Sequence, residues 1–505
     1  MSEGGRYKVA LLEAGGRNAG IKTTMPGMMP FQTATTNYMY ETVPQAGLNG
    51  RRGYVPRGRG LGGSSAINAM VYIRGNAWDY DNWAALGCTG WAHDDVLPYF
   101  KKSERNVRGG DAYHGGDGPL WVSDQRHPHA GSEAFVEAAT RLQIPRTDDF
   151  NGPSQEGAGL YQVTQKDGER WTSARAYLAD ARARPNLNVI TDVVAERVLF
   201  DEGRAWGVAY SQHGQPKTIR AKGAVVLAGG VFGTPQLLML SGIGEARHLA
   251  EHGITPRIDR PAVGTNLQDH LDYAASFETS LGNFLGRSFK GNIAGIMGIL
   301  RWLRTRDGPM TTCFAEAGAF LKTGPDVPAP DIQLHFVIGM VEDHGRARVP
   351  GHGYSCHVCV LRPESTGTVR LASPDPRAMP LIDPAFLSDP RDLEVMIKGV
   401  HLMYRILEAP PMSDYKGKDR YPFDDDEALE RLIRARSDTI YHPVGTARMG
   451  SDAGAVVDPR LKVRGVEGLY VSDASIMPKL ISGNTNAPSM MIGERCAEFV
   501  RADLA

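Results

Sequence analysis

A chain of 505 residues can form two or three domains, or one large two-domain enzyme, with a sizeable buried core. Its 56 Lys plus Arg offset 57 Asp plus Glu, and no basic cluster stands ready for a run of phosphates, so nucleic acid is excluded as an expected partner. No apolar stretch approaches the roughly 18 residues of a membrane span, the start of this sequence shows no basic segment followed by an apolar core, and five cysteines do not suit the disulfide framework expected of a secreted chain. The cytoplasm is the expected compartment, with peripheral contact at the inner membrane left open.

The first informative element is Tyr7–Leu12, a short apolar run that closes on Glu13-Ala14-Gly15-Gly16 and reads as a buried parallel strand. A carboxylate at such a strand end suits ribose hydroxyls in a dinucleotide fold, while a solvated strand end is the plainer reading. The glycine fingerprint of that fold belongs about 20 residues upstream, and twelve residues precede Glu13. The first strand and its phosphate loop are therefore expected in an upstream extension of the reading frame.

Gly58-Arg59-Gly60-Leu61-Gly62-Gly63-Ser64-Ser65 is a glycine-dense loop, followed by Ala66–Tyr72 with helix-compatible composition. Its backbone N–H groups suit an anion, and a plain structural turn is the competing reading. Gly223–Gly230 and Gly468–Asp473 are further apolar runs ending in polar turns. Between them, residues 271–445 change character. Alternating strands such as Asp331–Phe336 and Thr368–Leu371 predict a sheet with one wet face, in a second domain inserted into the first. Cys356-His357-Val358-Cys359 has redox or zinc spacing, but in a strand residues three apart face opposite ways, so no metal site is expected.

The glycine loop continues through Arg74-Gly75-Asn76 to Asp79-Tyr80-Asp81-Asn82-Trp83 and resembles the first signature of the glucose-methanol-choline oxidoreductases. Gly230–Gly244 resembles the second, with Val231 where a small residue is usual. Val263–His270, Arg362-Pro363 through Gly367, and His442–Thr446 are similar blocks. The resemblance runs from about Tyr7 to the C-terminus.

It implies an α/β protein: a discontinuous Rossmann-like FAD-binding domain (residues 1–90, 155–270 and 446–505) with an inserted α+β substrate domain (91–154 and 271–445). The implied activity is oxidation of a primary alcohol, choline-like, aliphatic or aromatic, more as a dehydrogenase than an oxidase. Quinone, soluble carrier and oxygen all stay open as acceptor. A light-driven fatty-acid decarboxylase on the same scaffold, or a chain that binds no flavin, are the alternatives. The family's catalytic histidine falls on His442 and its partner on Asn484. The cofactor positions fall on Glu13, Gly62, Gly63, Ser64, Asn68, Val71, Ala195, Asp473, Ala474 and Asn486. A histidine titrating near neutrality suits removal of a hydroxyl proton. Taken alone, His442 reads as one loop histidine among fourteen. Ile67 stands where some relatives carry a flavin-tethering histidine, so the FAD is expected to be non-covalent. Glu316 is a candidate for a cationic head group, weighed against a structurally paired carboxylate.

Overall fold

The computed structural model describes residues 1–347 and 349–505, a mixed α/β fold. Val9–Leu12 forms the expected strand and pairs in parallel with Leu187–Ile190, while Val225–Leu227 pairs in parallel with Leu469–Val471. Parallel partners need long crossovers, and here the first residues of the partners are 178 and 244 positions apart. The two pairs stand apart, and both Val9–Ala14 and Val225–Gly229 line one large cavity between them. Helices Gly230–Leu240 and Asn486–Asp503 belong to this body. Its core includes Val225, Leu227, Phe232, Leu469, Val471 and Met491, each such apolar side chain contributing about 1.5–3 kcal/mol by leaving water.

The second body is an eight-stranded antiparallel sheet. Its main order is Lys418–Asp419, Leu271–Glu278, Gly351–Val360, Ile332–Val337, Ala315–Leu321 and Gly157–Leu160, and Asp438–Thr439 also pairs with Leu271–Glu278. Helices Ala130–Arg141 and Pro390–Glu408 pack on it through Phe135, Met396, Val400 and Met403.

Three expectations are corrected. The sheet has no wet face here: every residue of Ile332–Val337 and of Ala315–Leu321 is buried, because helices cover one side and Val71, Ile73, Phe150 and Tyr161 pack on the other. The alternation in Asp331–Phe336 arises from Gln333 and His335, which are buried polar residues. Thr368–Arg370 lies outside this sheet and pairs with Leu381–Asp383. Ala66–Tyr72 is not a helix, since the one turn Gly63–Ala66 ends before Met70, whose φ of +64° is left-handed.

The packing also crosses the expected boundaries. Trp91, Val96, Phe100, Leu120 and Val122 join the first core, whereas Gly157–Leu160 is a strand of the second sheet. The large aromatic rings of 91–100 find their apolar partners, Tyr80 and Trp83, on the preceding helix.

Candidate active site

His442 is held at both its backbone and its ring. Asp269 Oδ1 accepts from the His442 backbone N–H at 2.8 Å, and Asp269 Oδ2 accepts from the Thr439 hydroxyl. The next residue, His270, governs the ring. Its Nε2 lies 3.0 Å from the Leu361 carbonyl, which can only accept, so Nε2 carries the proton and Nδ1 is bare. His442 Nδ1, 3.0 Å from that bare nitrogen, must therefore be the donor between the two rings. Its own Nε2 is left unprotonated, as an acceptor.

Asn484 meets that nitrogen. Its Nδ2 donates to His442 Nε2 at 3.0 Å, and Gln333 Nε2 donates to its Oδ1 at 3.3 Å, which fixes the amide the same way round. The loop carrying Asn484 is fastened by buried Asp79, whose carboxylate accepts from the Ser482 backbone N–H at 2.7 Å and the Ser482 hydroxyl at 2.8 Å. Asp79 and Asn76 also form a capping box, so the helix Ala77–Ala85 and the Asn484 loop share one anchor.

Burial pushes His442 well below the ordinary histidine value, and His270, His335 and Arg57 add to the same effect. Burial likewise pushes His270 down to about 4 and His335 to about 3. Asp269 moves the other way, up to about 7 through burial, with the Thr439 hydroxyl and Arg57 opposing. All three rings are neutral at neutral pH, and the lone pair on His442 Nε2, which accepts from Asn484 Nδ2, can take a proton when a substrate hydroxyl replaces that contact.

His442 and Asn484 line a cavity of about 3480 Å³, together with every cofactor position expected from the sequence: Glu13, Gly62, Gly63, Ser64, Asn68, Val71, Ala195, Asp473, Ala474 and Asn486. Glu13 ties the strand end to the glycine loop, accepting from the Gly15 and Gly60 backbone N–H groups at 2.8 and 2.9 Å. Burial raises its pKa while those hydrogen bonds pull it down. Gly15 is glycine because a Cβ there would meet Gly60 N at 2.5 Å. Gly63 has φ +50° and open space where a Cβ would stand, which makes it a cradle wall a ligand can approach closely.

Two helix ends face the same space. Thr485 leaves the terminal helix without a side-chain cap, so its first-turn N–H groups direct positive potential at the cavity, with Pro488 in that first turn. At Gly230–Leu240 the end is instead capped by Asp473, whose Oδ2 accepts from Gly230 N–H at 2.9 Å and the Thr234 hydroxyl at 2.6 Å. Its Oδ1 accepts from Ser475 N–H at 2.8 Å, so both Asp473 oxygens already have protein partners.

Glu316 is not brought to this site. It is buried outside the cavity lining, with Oε2 accepting from His129 N–H at 2.7 Å and Ser132 hydroxyl at 2.9 Å, and Oε1 from Thr312 hydroxyl at 2.7 Å. The carboxylate staples the helix Ala130–Arg141 to the sheet. Cys356 and Cys359 are free thiols in different apolar clusters, on opposite faces of their strand. Sequence reasoning missed the roles of Asp269, His270 and Asp79. The signal was the block Val263–His270 itself, whose Asp-His pair sits directly before the Leu271–Glu278 strand.

The chain belongs to the GMC oxidoreductase family, whose models match residues 9–272 and 363–493. It is a GMC-type enzyme, related to alcohol and choline dehydrogenases over its full length. An alcohol dehydrogenase (acceptor) of Pseudomonas putida is 45% identical, covering 99% of this chain and 92% of that protein. An oxygen-dependent choline dehydrogenase of Rhizobium johnstonii is 39% identical over the same shares, 99% and 92%. Among solved structures, pyridoxine 4-oxidase from Mesorbium loti matches with a TM-score of 0.89 and 28% identity, covering 99% of this chain and 95% of that one.

Proposed function

We propose that this enzyme oxidises a primary alcohol to the aldehyde with non-covalently held FAD, His442 acting as base. The observation that carries this reading is the relay Leu361 carbonyl, His270, His442, Asn484, which leaves a neutral imidazole with its Nε2 lone pair beside a hydrogen-bond donor. FAD, when bound, supplies the acceptor for the hydride that leaves the alcohol carbon. His442 Nε2 takes the hydroxyl proton, and Asn484 Nδ2 donates to the same oxygen, holding it as charge develops.

The cavity walls fit the flavin assignment: the open space at Gly63, the buried Glu13 carboxylate at a parallel strand end, and the uncapped terminal helix all face one volume. Glu13, Gly62, Gly63, Ser64, Asn68, Val71, Ala195, Ala474 and Asn486 would hold the cofactor, and Asp473 would act through the helix end it caps. We assign the FAD-binding unit to residues 1–90, 155–270 and 446–505, roofed by 91–154 and 271–445, with the packed exceptions above. Ile67 offers no nucleophilic atom to the flavin, so acid denaturation should free it. The likeness to an alcohol dehydrogenase (acceptor) and to an oxygen-dependent choline dehydrogenase supports an alcohol substrate with a separate electron acceptor. Glu316 is fully engaged, and Val71, Phe314, Ala315, Val337 and Ile440 belong to one apolar cluster and line the cavity together with His442. Both favour an aliphatic or aromatic alcohol over a cationic one.

The test is anaerobic stopped-flow reduction of the flavin by alcohol. His442→Ala should slow it by about 10²- to 10⁴-fold, or roughly 3–5 kcal/mol in barrier, with FAD binding retained. Reduction within a factor of about three of the parent would place the base elsewhere.

A further inference from the structure

The helix Phe289–Thr305 is attached by its back and shows its apolar front to solvent. Its anchors are Gly298 and Trp302, both buried: Met310 packs against Gly298, and Trp302 Nε1 donates to the Gly168 carbonyl at 2.7 Å. On the front, Phe289 is 82% exposed, Met297 61%, Ile296 60% and Leu300 55%, with Ile293 and Leu303 also exposed. These positions form one continuous stripe at helical spacing. Six of the fifteen large exposed apolar side chains among the described residues lie on this one helix, which is a patch and not the scatter expected of a solvated surface.

The charges around the stripe have one sign. The helix carries no acidic residue, and Lys290, Arg301 and Arg304 on it, with Arg287 just before it, are exposed. The nearest acid in sequence, Asp307, is shared by Arg301, Arg126 and His127 at the helix end.

We infer that this face docks onto a phospholipid bilayer bearing anionic headgroups. An apolar stripe flanked by cations is the composition of a helix lying in the interface plane, with its apolar side at the acyl boundary and its cations at the phosphates. A symmetric contact between two copies would bring the same cations together with no acid on either helix to meet them. No helix among the described residues is long and apolar enough to cross a membrane, so the contact is peripheral.

The inner side of the helix gives the contact a use. Gly295 and Ile299 line the same cavity as His442 and Asn484, as do Arg287 and Met310. The bilayer would then lie beside the cavity mouth, and an apolar alcohol or a lipid-phase electron acceptor could enter without crossing water. This last step rests on the proposed alcohol oxidation; the docking itself does not.

The experiment is co-sedimentation of the FAD-loaded enzyme with vesicles of equal parts phosphatidylglycerol and phosphatidylcholine, and with phosphatidylcholine alone. Binding is expected to the anionic vesicles and to weaken with salt. The double variant Ile296→Asp/Leu300→Asp should lose it by about tenfold or more, and Arg301→Gln/Arg304→Gln should lose its preference for anionic lipid. Turnover of a short water-soluble alcohol should be unchanged in the Asp variant, which confirms folding and keeps the docking test separate from the chemistry. Parent enzyme remaining in the supernatant at every lipid concentration overturns the inference. So does a parent dimer in analytical ultracentrifugation that the Asp variant converts to monomer, because the stripe would then be covered by a second copy.

Discussion

Two buried histidine clusters in this molecule differ in charge: one holds a cation and the other is neutral. His114 sits between carboxylates, with Nδ1 3.0 Å from Glu104 Oε1 and Nε2 2.9 Å from Asp149 Oδ2. Burial alone would lower its pKa, but the bonds to Asp149 and Glu104 outweigh burial and raise it to about 9. No carboxylate bonds to the rings of His270, His442 or His335, so burial dominates there and all three fall. Burial therefore does not decide what a histidine does; its hydrogen-bond partners do. The first cluster is a fixed cation that locks a loop, and the second is a base.

The comparison breaks most visibly at Glu104. Its carboxylate is fully buried and serves Arg74, His114, Asn106 Nδ2 at 3.1 Å and Gly115 N–H at 2.9 Å. Glu104→Gln leaves two buried cations with only Asp149 for balance, and should cost about 3–5 kcal/mol in urea unfolding. A loss below about 1 kcal/mol would mean that His114 is neutral in the folded protein.

Acid and base should act on the two clusters in opposite directions. Because His270 is held near 4 and an unfolded histidine titrates near 6.5, the unfolded chain takes up a proton that the folded chain refuses. Stability from that ring is complete above about 6.5 and is lost as pH falls toward 4, on the order of 3 kcal/mol in all. The contribution from His114 is complete below about 6.5 and is lost as pH rises through 9. Ring resonances in NMR should show His114 charged at about pH 8 and His270 neutral at about pH 5. Finding the reverse at either ring would collapse the distinction.

The smallest effect sharpens the comparison. His270→Phe removes the acceptor for His442 Nδ1–H without touching the alcohol, and should slow flavin reduction by about 10- to 100-fold. His270→Gln, whose amide oxygen can accept that proton, should recover much of the rate, while bulk replacement by Phe should not. Equal rates for the two variants would show that His270 is only packing.

Much of this architecture is legible in the sequence alone. The apolar runs at Val9–Leu12, Val225–Leu227 and Leu469–Val471 declare strands because nothing else buries such short segments ending in glycine or acid. His442 and Asn484 were legible through motif resemblance. Their positioning partners were not, because Asp269, Leu361 and Asp79 reach the loops from up to 403 residues away in sequence. The wet sheet face failed for a related reason: alternation of polar and apolar residues cannot tell solvent from a buried hydrogen-bonding layer. Glu316 misled because an acid in an apolar run reads the same whether it awaits a ligand or holds a helix in place.

The tautomer of His442 ultimately traces to a main-chain oxygen at Leu361. A substitution at that position can change the side chain and leave the carbonyl where it is. The proton-accepting face of the base is thus insulated from most point mutations nearby, and lineages of this enzyme could reshape the cavity wall for new alcohols without first having to reinvent the base.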